Sequence, residues 1–331
     1  MVSAGSLVLG MGLPISTTRP TVAAEPKLRM TMGLRAAVQS IPWIGLEAGI
    51  FRKYGLIVEF PAIEVGGPQS AAGLVRGDWE FSQTGTVPIA EEVLKGNDPV
   101  ILLGNALPHV VIFVMTRPEI TSLQQLDGRQ VGVLTDATSG QAGINARLAV
   151  EREGANASYI GLGTFQNIYA ALAAGKIDAG ALPVDLRFVG EIQHGWHAFP
   201  SADLGLPSIF ATTRRRIKED REIVLTVVRC VLEAIHLFKT QPDIAVPLLQ
   251  RFMNLNDREA AKALHAFYVP LFPANPRPNL SDGMQNLRKL FATRYPAAVN
   301  LQESNIVDAT IIDDVEKSGF IERLYAGTPA R

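Results

Sequence analysis

The chain has 331 residues, enough for two lobes each with its own core. Its composition, 47% hydrophobic and 19% charged, is that of a globular protein with ordinary surface chemistry. A formal net charge of -1 gives no basic face for a nucleic-acid partner, so none is expected. Cys230 is the only cysteine; it cannot form an intrachain disulfide, and within VVRCVLEAIHLF it reads as a buried small hydrophobe.

Residues Leu7 to Ile15 form an apolar run too short to span a bilayer, followed by a polar stretch and the small residues Val22-Ala23-Ala24 ahead of Glu25. Residues 1–24 therefore read as a signal peptide, and the chain as an exported, periplasmic protein. No Lys or Arg precedes the apolar run. Either the segment is not a leader, or its basic start lies upstream.

From Lys27 onward, strand-like and helix-like segments alternate in the manner of an α/β protein with mainly parallel sheets. The stretch Leu34 to Leu56 reads as an extended apolar run (Leu34 to Val38), a polar loop at Gln39 and Ser40, and a helix opened by Pro42. Trp43, Leu46, Ile50 and Phe51 mark its apolar face and Gly55 its end. A strand is expected at Leu56 to Phe60, a helix at Gln69 to Val75 stopped by Gly77, and a strand at Asp78 to Ser82. Gln83 to Pro88 is a second strand-to-helix loop, with Thr86 in the N-cap position. Strands then follow at Val100 to Leu103, His109 to Met115 and Gln130 to Leu134. Thr135 to Gln141 is a third polar loop, leading into a helix through Val150. Beyond Ile217 the pattern is almost wholly helical. Each strand, polar loop and helix unit puts free backbone N–H groups at a cleft.

Several segments resemble the ABC-transporter solute-binding proteins of the nitrate, sulfonate, taurine and thiamine-pyrimidine-precursor class. Ala48-Gly49-Ile50-Phe51-Arg52-Lys53-Tyr54-Gly55-Leu56 is similar to the class signature "kGiFkkyGL". Gly77 to Phe81, Arg117 to Val133, Ala171 to Ala179 and Lys317 to Ile321 resemble four further class segments, in order along the chain. The resemblance implies a type II periplasmic binding fold: two lobes, each an open, mainly parallel sheet flanked by helices, with two crossings and a helical C-terminal part. The expected division is residues 25–110 with 212–331 for lobe 1, and 111–211 for lobe 2. It also implies a monomer that captures a small ligand and docks on a membrane permease with its ATPase, without a cofactor.

The candidate ligand residues are Gln39, Ser40, Trp43, Thr84, Gly85 and Thr86 in lobe 1, and Thr138, Ser139, Gly140, Gln141 and Asp185 in lobe 2. Hydroxyls and loop N–H groups would donate to oxyanions or carbonyls, and Trp43 would supply a flat wall. Ser40, Thr86 and Ser139 read equally well as helix caps, and Trp43 as core. Asp185 would favour a cationic ligand, whereas Arg187 would neutralise it or favour an anion. His194 and His197 lack a Cys or carboxylate in the same segment to complete a metal site. No GxSxG, Walker loop, HExxH or complete dinucleotide fingerprint is present. The alternatives to a transport binder are a thiamine-pyrimidine-precursor synthase-like enzyme on the same fold, whose cysteine-rich motif this chain lacks, and a ligand-sensing module.

Overall fold

The computed structural model describes residue 1 and residues 27–106, 112–138 and 140–326. The expected leader, His109 and Ser139 lie outside the described residues.

The first sheet is built from β1 (Lys27–Met32), β2 (Ile57–Ile63), β3 (Phe81–Gly85) and β4 (Pro99–Ala106). The second takes β5 (Ile112–Thr116), β6 (Gln130–Val133), β7 (Ser158–Gly161), β8 (Ala179–Pro183) and β9 (His197–Pro200). The chain then returns to the first sheet as β10 (Ser208–Thr213), giving orders β2-β1-β3-β10-β4 and β7-β6-β8-β5-β9. β10 runs antiparallel between β3 and β4, and β5 antiparallel between β8 and β9, while the other pairings within each sheet are parallel. Each sheet is thus mixed but mainly parallel, with helices on its faces. β5 and β8 are buried along their whole length, which is why they read as unbroken apolar runs.

Pro61 sits inside β2, an edge strand, where the register slips between the Arg29–Glu59 and Thr31–Ala62 pairs. A proline lacks the ladder donor, and a bulged edge position is one of the few places that does not need it. The 20-residue helix Arg221–Thr240 buries Val224, Val227, Val228, Cys230, Val231, Ala234 and Ile235. Asp220 caps it by accepting the Ile223 N–H at 3.2 Å.

Two expectations shift. Leu34 to Val38 is not a strand: β1 ends at Met32, and Ala37–Gln39 forms a short 3-10 turn. The cause is Gln39, whose side-chain oxygen accepts the Leu34 N–H at 2.8 Å and curls the chain away from the ladder. The helix after it is Ile41–Glu47, and Gly49, at φ 76°, separates it from a second turn, Ile50–Lys53. Likewise β3 starts at Phe81 and not at Asp78. The Glu80 carboxylate binds the Arg29 backbone N–H and guanidinium, both at 2.7 Å, so a side chain stands in for the ladder there.

Gly73 lies against the buried ring of Trp79, whose indole N–H donates to Ser70 O at 2.8 Å. A Cβ at Gly73 would overlap that ring. Alanine gains about 1 kcal/mol of helix propensity over glycine, but overpacking costs roughly 1–3 kcal/mol, and here the obstacle is a pinned indole. Gly73→Ala is expected to lower stability in urea unfolding; a gain would mean that Trp79 moves freely.

Candidate functional site

The ends of the two sheets face each other across a cavity of about 970 Å³, open mouth included. Gln39, Thr84 and Gly85 line it from the first lobe, and Gly140 and Gln141 from the second. Five of the residues expected from sequence therefore come together, from three separate strand-to-helix units. Leu34, Val38, Pro88, Ile112, Leu134, Leu204, Leu206 and Leu271 give the cavity apolar walls.

The other expected residues among those described do not line it. Ser40 is fully buried and its hydroxyl donates to Ala37 O at 2.8 Å, closing the turn. Trp43 tilts onto Phe252, ring centroids 5.3 Å apart. Thr86 is the first residue of the helix Thr86–Leu94, with Gly85 in the cap position, and its hydroxyl donates to Pro207 O at 2.9 Å. Both the N–H and the hydroxyl of Thr138 bond Asp136 Oδ1, at 2.6 and 2.8 Å, on an exposed turn. Asp185 is the second residue of the helix Val184–His194 and does not line the cavity. Arg187 donates to Glu191 at 2.8 Å, and Asp185 accepts no hydrogen bond from it.

Sequence reasoning missed Asn145, Ser201 and Ser208, which line the cavity, and Glu64 beside it. Asn145 had a readable signal: it stands four residues after Gln141 on the same face of the helix Gln141–Arg152. Ser208 could not be placed without knowing that β10 enters beside β3. There its hydroxyl donates to Thr84 O at 3.2 Å and accepts from Gln83 Nε2 at 3.0 Å.

Two side chains span the lobes. Gln141 accepts the Val87 N–H through Oε1 and donates through Nε2 to Leu206 O, both at 3.3 Å. The Glu64 carboxylate accepts the Phe165 N–H at 3.2 Å, at the start of the helix Phe165–Ala173, with the Arg35 guanidinium 3.6 Å away. Glu64 holds a left-handed backbone at φ 66°, a conformation that costs a non-glycine residue of order 1 kcal/mol or more. Burial pushes its carboxyl above the usual range, while the Phe165 N–H and Arg35 pull the other way.

Other polar atoms have no partner. The Thr84 hydroxyl is buried in the wall of the cavity without a hydrogen bond, and so is Asn145 Oδ1. Outside the lining, both carboxylate oxygens of Asp185 and the hydroxyl of Tyr268 are buried and unpaired. The backbone side of Asp185 keeps some exposure, but its oxygens are shut off from solvent. Burial raises its carboxyl from 3.8 to about 7.

A carboxyl raised by folding leaves stability intact below its unfolded value and lowers it as pH climbs through the folded one. Asp185→Asn should therefore become more stable relative to the parent chain between about pH 4 and pH 7, by a few kcal/mol at most. Thermal melts of both across that range test it; a constant difference would mean that Asp185 finds a partner.

The NMT1/THI5 like family profile matches residues 43–245, more than half of the chain. No curated protein sequence gives a significant match. Among solved structures, a protein from Bordetella bronchiseptica RB50 superposes with a TM-score of 0.74 at 16% identity, covering 88% of this chain and 97% of that one. The alkanesulfonate-binding protein SsuA from Xanthomonas axonopodis pv. citri, bound to MOPS, gives 0.66 at 15%, covering 85% and 96%. The periplasmic aliphatic sulphonate binding protein SsuA from Escherichia coli gives 0.61 at 17%, covering 84% and 94%. At such identities the likeness is one of fold, and the fold is that of the periplasmic binding proteins. By the match over residues 43–245, the chain belongs to the NMT1/THI5 like family.

Proposed function

We propose that this protein is the solute-binding component of an ABC importer. It captures a small polar organic molecule in the interlobe cavity and delivers it to a membrane permease with its ATPase. The observation that carries the reading is the pair of unpaired polar atoms in the cavity wall, Thr84 Oγ1 from one lobe and Asn145 Oδ1 from the other. A buried polar group without a partner is costly, and a ligand bridging the two atoms removes that cost only when the lobes are closed. The residues proposed to move as units follow the expected division, 25–110 with 212–331 and 111–211, except that the second boundary lies before Ser208, since β10 belongs to the first sheet; the protein acts as a monomer in the periplasm. The solved neighbours that bind alkanesulfonates support the same role.

We take the protein as a binder and not a catalyst. Among the described residues, no His, Cys, Lys or Arg lines the cavity. Cys230 is buried in the helix Arg221–Thr240, and burial pushes its thiol up to about 12, which makes it a poor nucleophile.

A thermal-shift screen of the chain from Glu25 against sulfonates, nitrate-like anions, pyrimidine precursors and amines tests the reading. A ligand at about 100 times its Kd adds roughly 2.7 kcal/mol, a shift of several degrees. Thr84→Val keeps the side-chain shape and removes the orphan hydroxyl. Its unliganded chain should be at least as stable as the parent, with affinity for the hit down about tenfold. Silence across the panel, with turnover of a pyrimidine precursor in the same preparation, would replace transport by the synthase reading.

A further inference from the structure

We propose that the ligand of the interlobe cavity carries a protonated amine or amidine on an apolar body, and is not a sulfonate or comparable anion. This deepens the binding-protein reading and rests on it.

Charge in the wall is the first observation. The described lining residues include two carboxylates, Asp136 and Asp203, and no Lys, Arg or His. Two arginines adjoin the lining in sequence or along a helix, and both are engaged elsewhere. Arg35 donates to Phe252 O at 2.9 Å and faces Glu64, while Arg147 donates to Ala137 O and Glu151. A desolvated sulfonate would meet no Lys, Arg or His among the described lining residues.

The helix N-termini at the cavity would favour an anion if they were free, but the protein has answered them. Gln141 Oε1 occupies the Val87 N–H in the first turn of Thr86–Leu94. Asp136 lies just ahead of the helix Gln141–Arg152.

Unsatisfied atoms are the second, independent observation. Thr84, fully buried, offers a hydroxyl oxygen to the cavity, and Asn145 offers an amide oxygen across from it. Asp185, whose carboxylate oxygens are also unpaired, follows β8 but does not line the cavity. The Asn145 oxygen calls for an N–H donor, the Thr84 hydroxyl can accept one as well as donate, and the leucine-rich walls call for a hydrocarbon or aromatic body.

Benzamidine and benzenesulfonate carry opposite head groups on the same ring, and calorimetric titration of the wild-type protein with each decides the matter. Benzamidine is expected to bind at least tenfold more tightly. Asn145→Asp, nearly the same shape, should tighten benzamidine by about a further tenfold, because the bond becomes charge-assisted. Equal or tighter binding of benzenesulfonate overturns the cationic class and leaves the binding-protein reading standing. Binding of neither probe to folded protein also overturns the class, whereas the wider reading then falls only if the whole solute panel is silent. The wild-type pair decides even if Asn145→Asp does not fold.

Discussion

The structure depends on one topological constraint: the first sheet cannot be finished until the second has been made. β10 enters antiparallel between β3 and β4, so the chain must leave after β4, build all of β5 to β9, and come back into the middle of a sheet. A crossing anchored in a central strand is held on both sides by ladder bonds, unlike one anchored at an edge. That rigidity reaches the cavity through three side chains. Gln83 donates to the Ser208 hydroxyl, Ser208 to Thr84 O, and Thr86 to Pro207 O. All three tie the returning crossing to the end of β3, where Thr84 offers its hydroxyl. An unpaired polar group is a useful recognition element only on a backbone that cannot turn it away, and this one is held on two strands.

How much of this was legible in the sequence follows from where the determining bonds lie. Periodicity found the strands and helices well wherever burial is continuous, as in β5 and in the helical part beyond Ile217, because local pattern and tertiary environment agree there. It failed at Leu34 to Val38, where a single bond from the Leu34 N–H to the Gln39 side chain overrides an apolar run that reads as a strand. It placed Gln39, Thr84, Gly85, Gly140 and Gln141 at strand-to-helix turns, and the structure gathers these at one cavity. Hydroxyls misled where local partners absorb them: Ser40 bonds the turn three residues back, and Thr138 bonds Asp136. A side chain that can satisfy itself within three residues has little left for a ligand, and composition alone cannot show which ones do. Glu64 was invisible for the opposite reason, since its partner Phe165 is 101 residues away.

On the proposed function, two side chains join the lobes beside the ligand. Gln141 bonds Val87 across the cleft and also holds the returning crossing at Leu206 O, and Glu64 bonds Phe165, all at 3.2 or 3.3 Å. Each replaces a bond to water, so each contributes on the order of 1 kcal/mol, partly offset by strain in the Glu64 backbone. A ligand shifts the population only by interactions absent from the open form. Gln141, which already spends one acceptor and one donor on the protein, does not by itself provide that difference. The atoms that can are those still unpaired on opposite walls, Thr84 Oγ1 and Asn145 Oδ1, which a single small molecule reaches together only when the lobes have met.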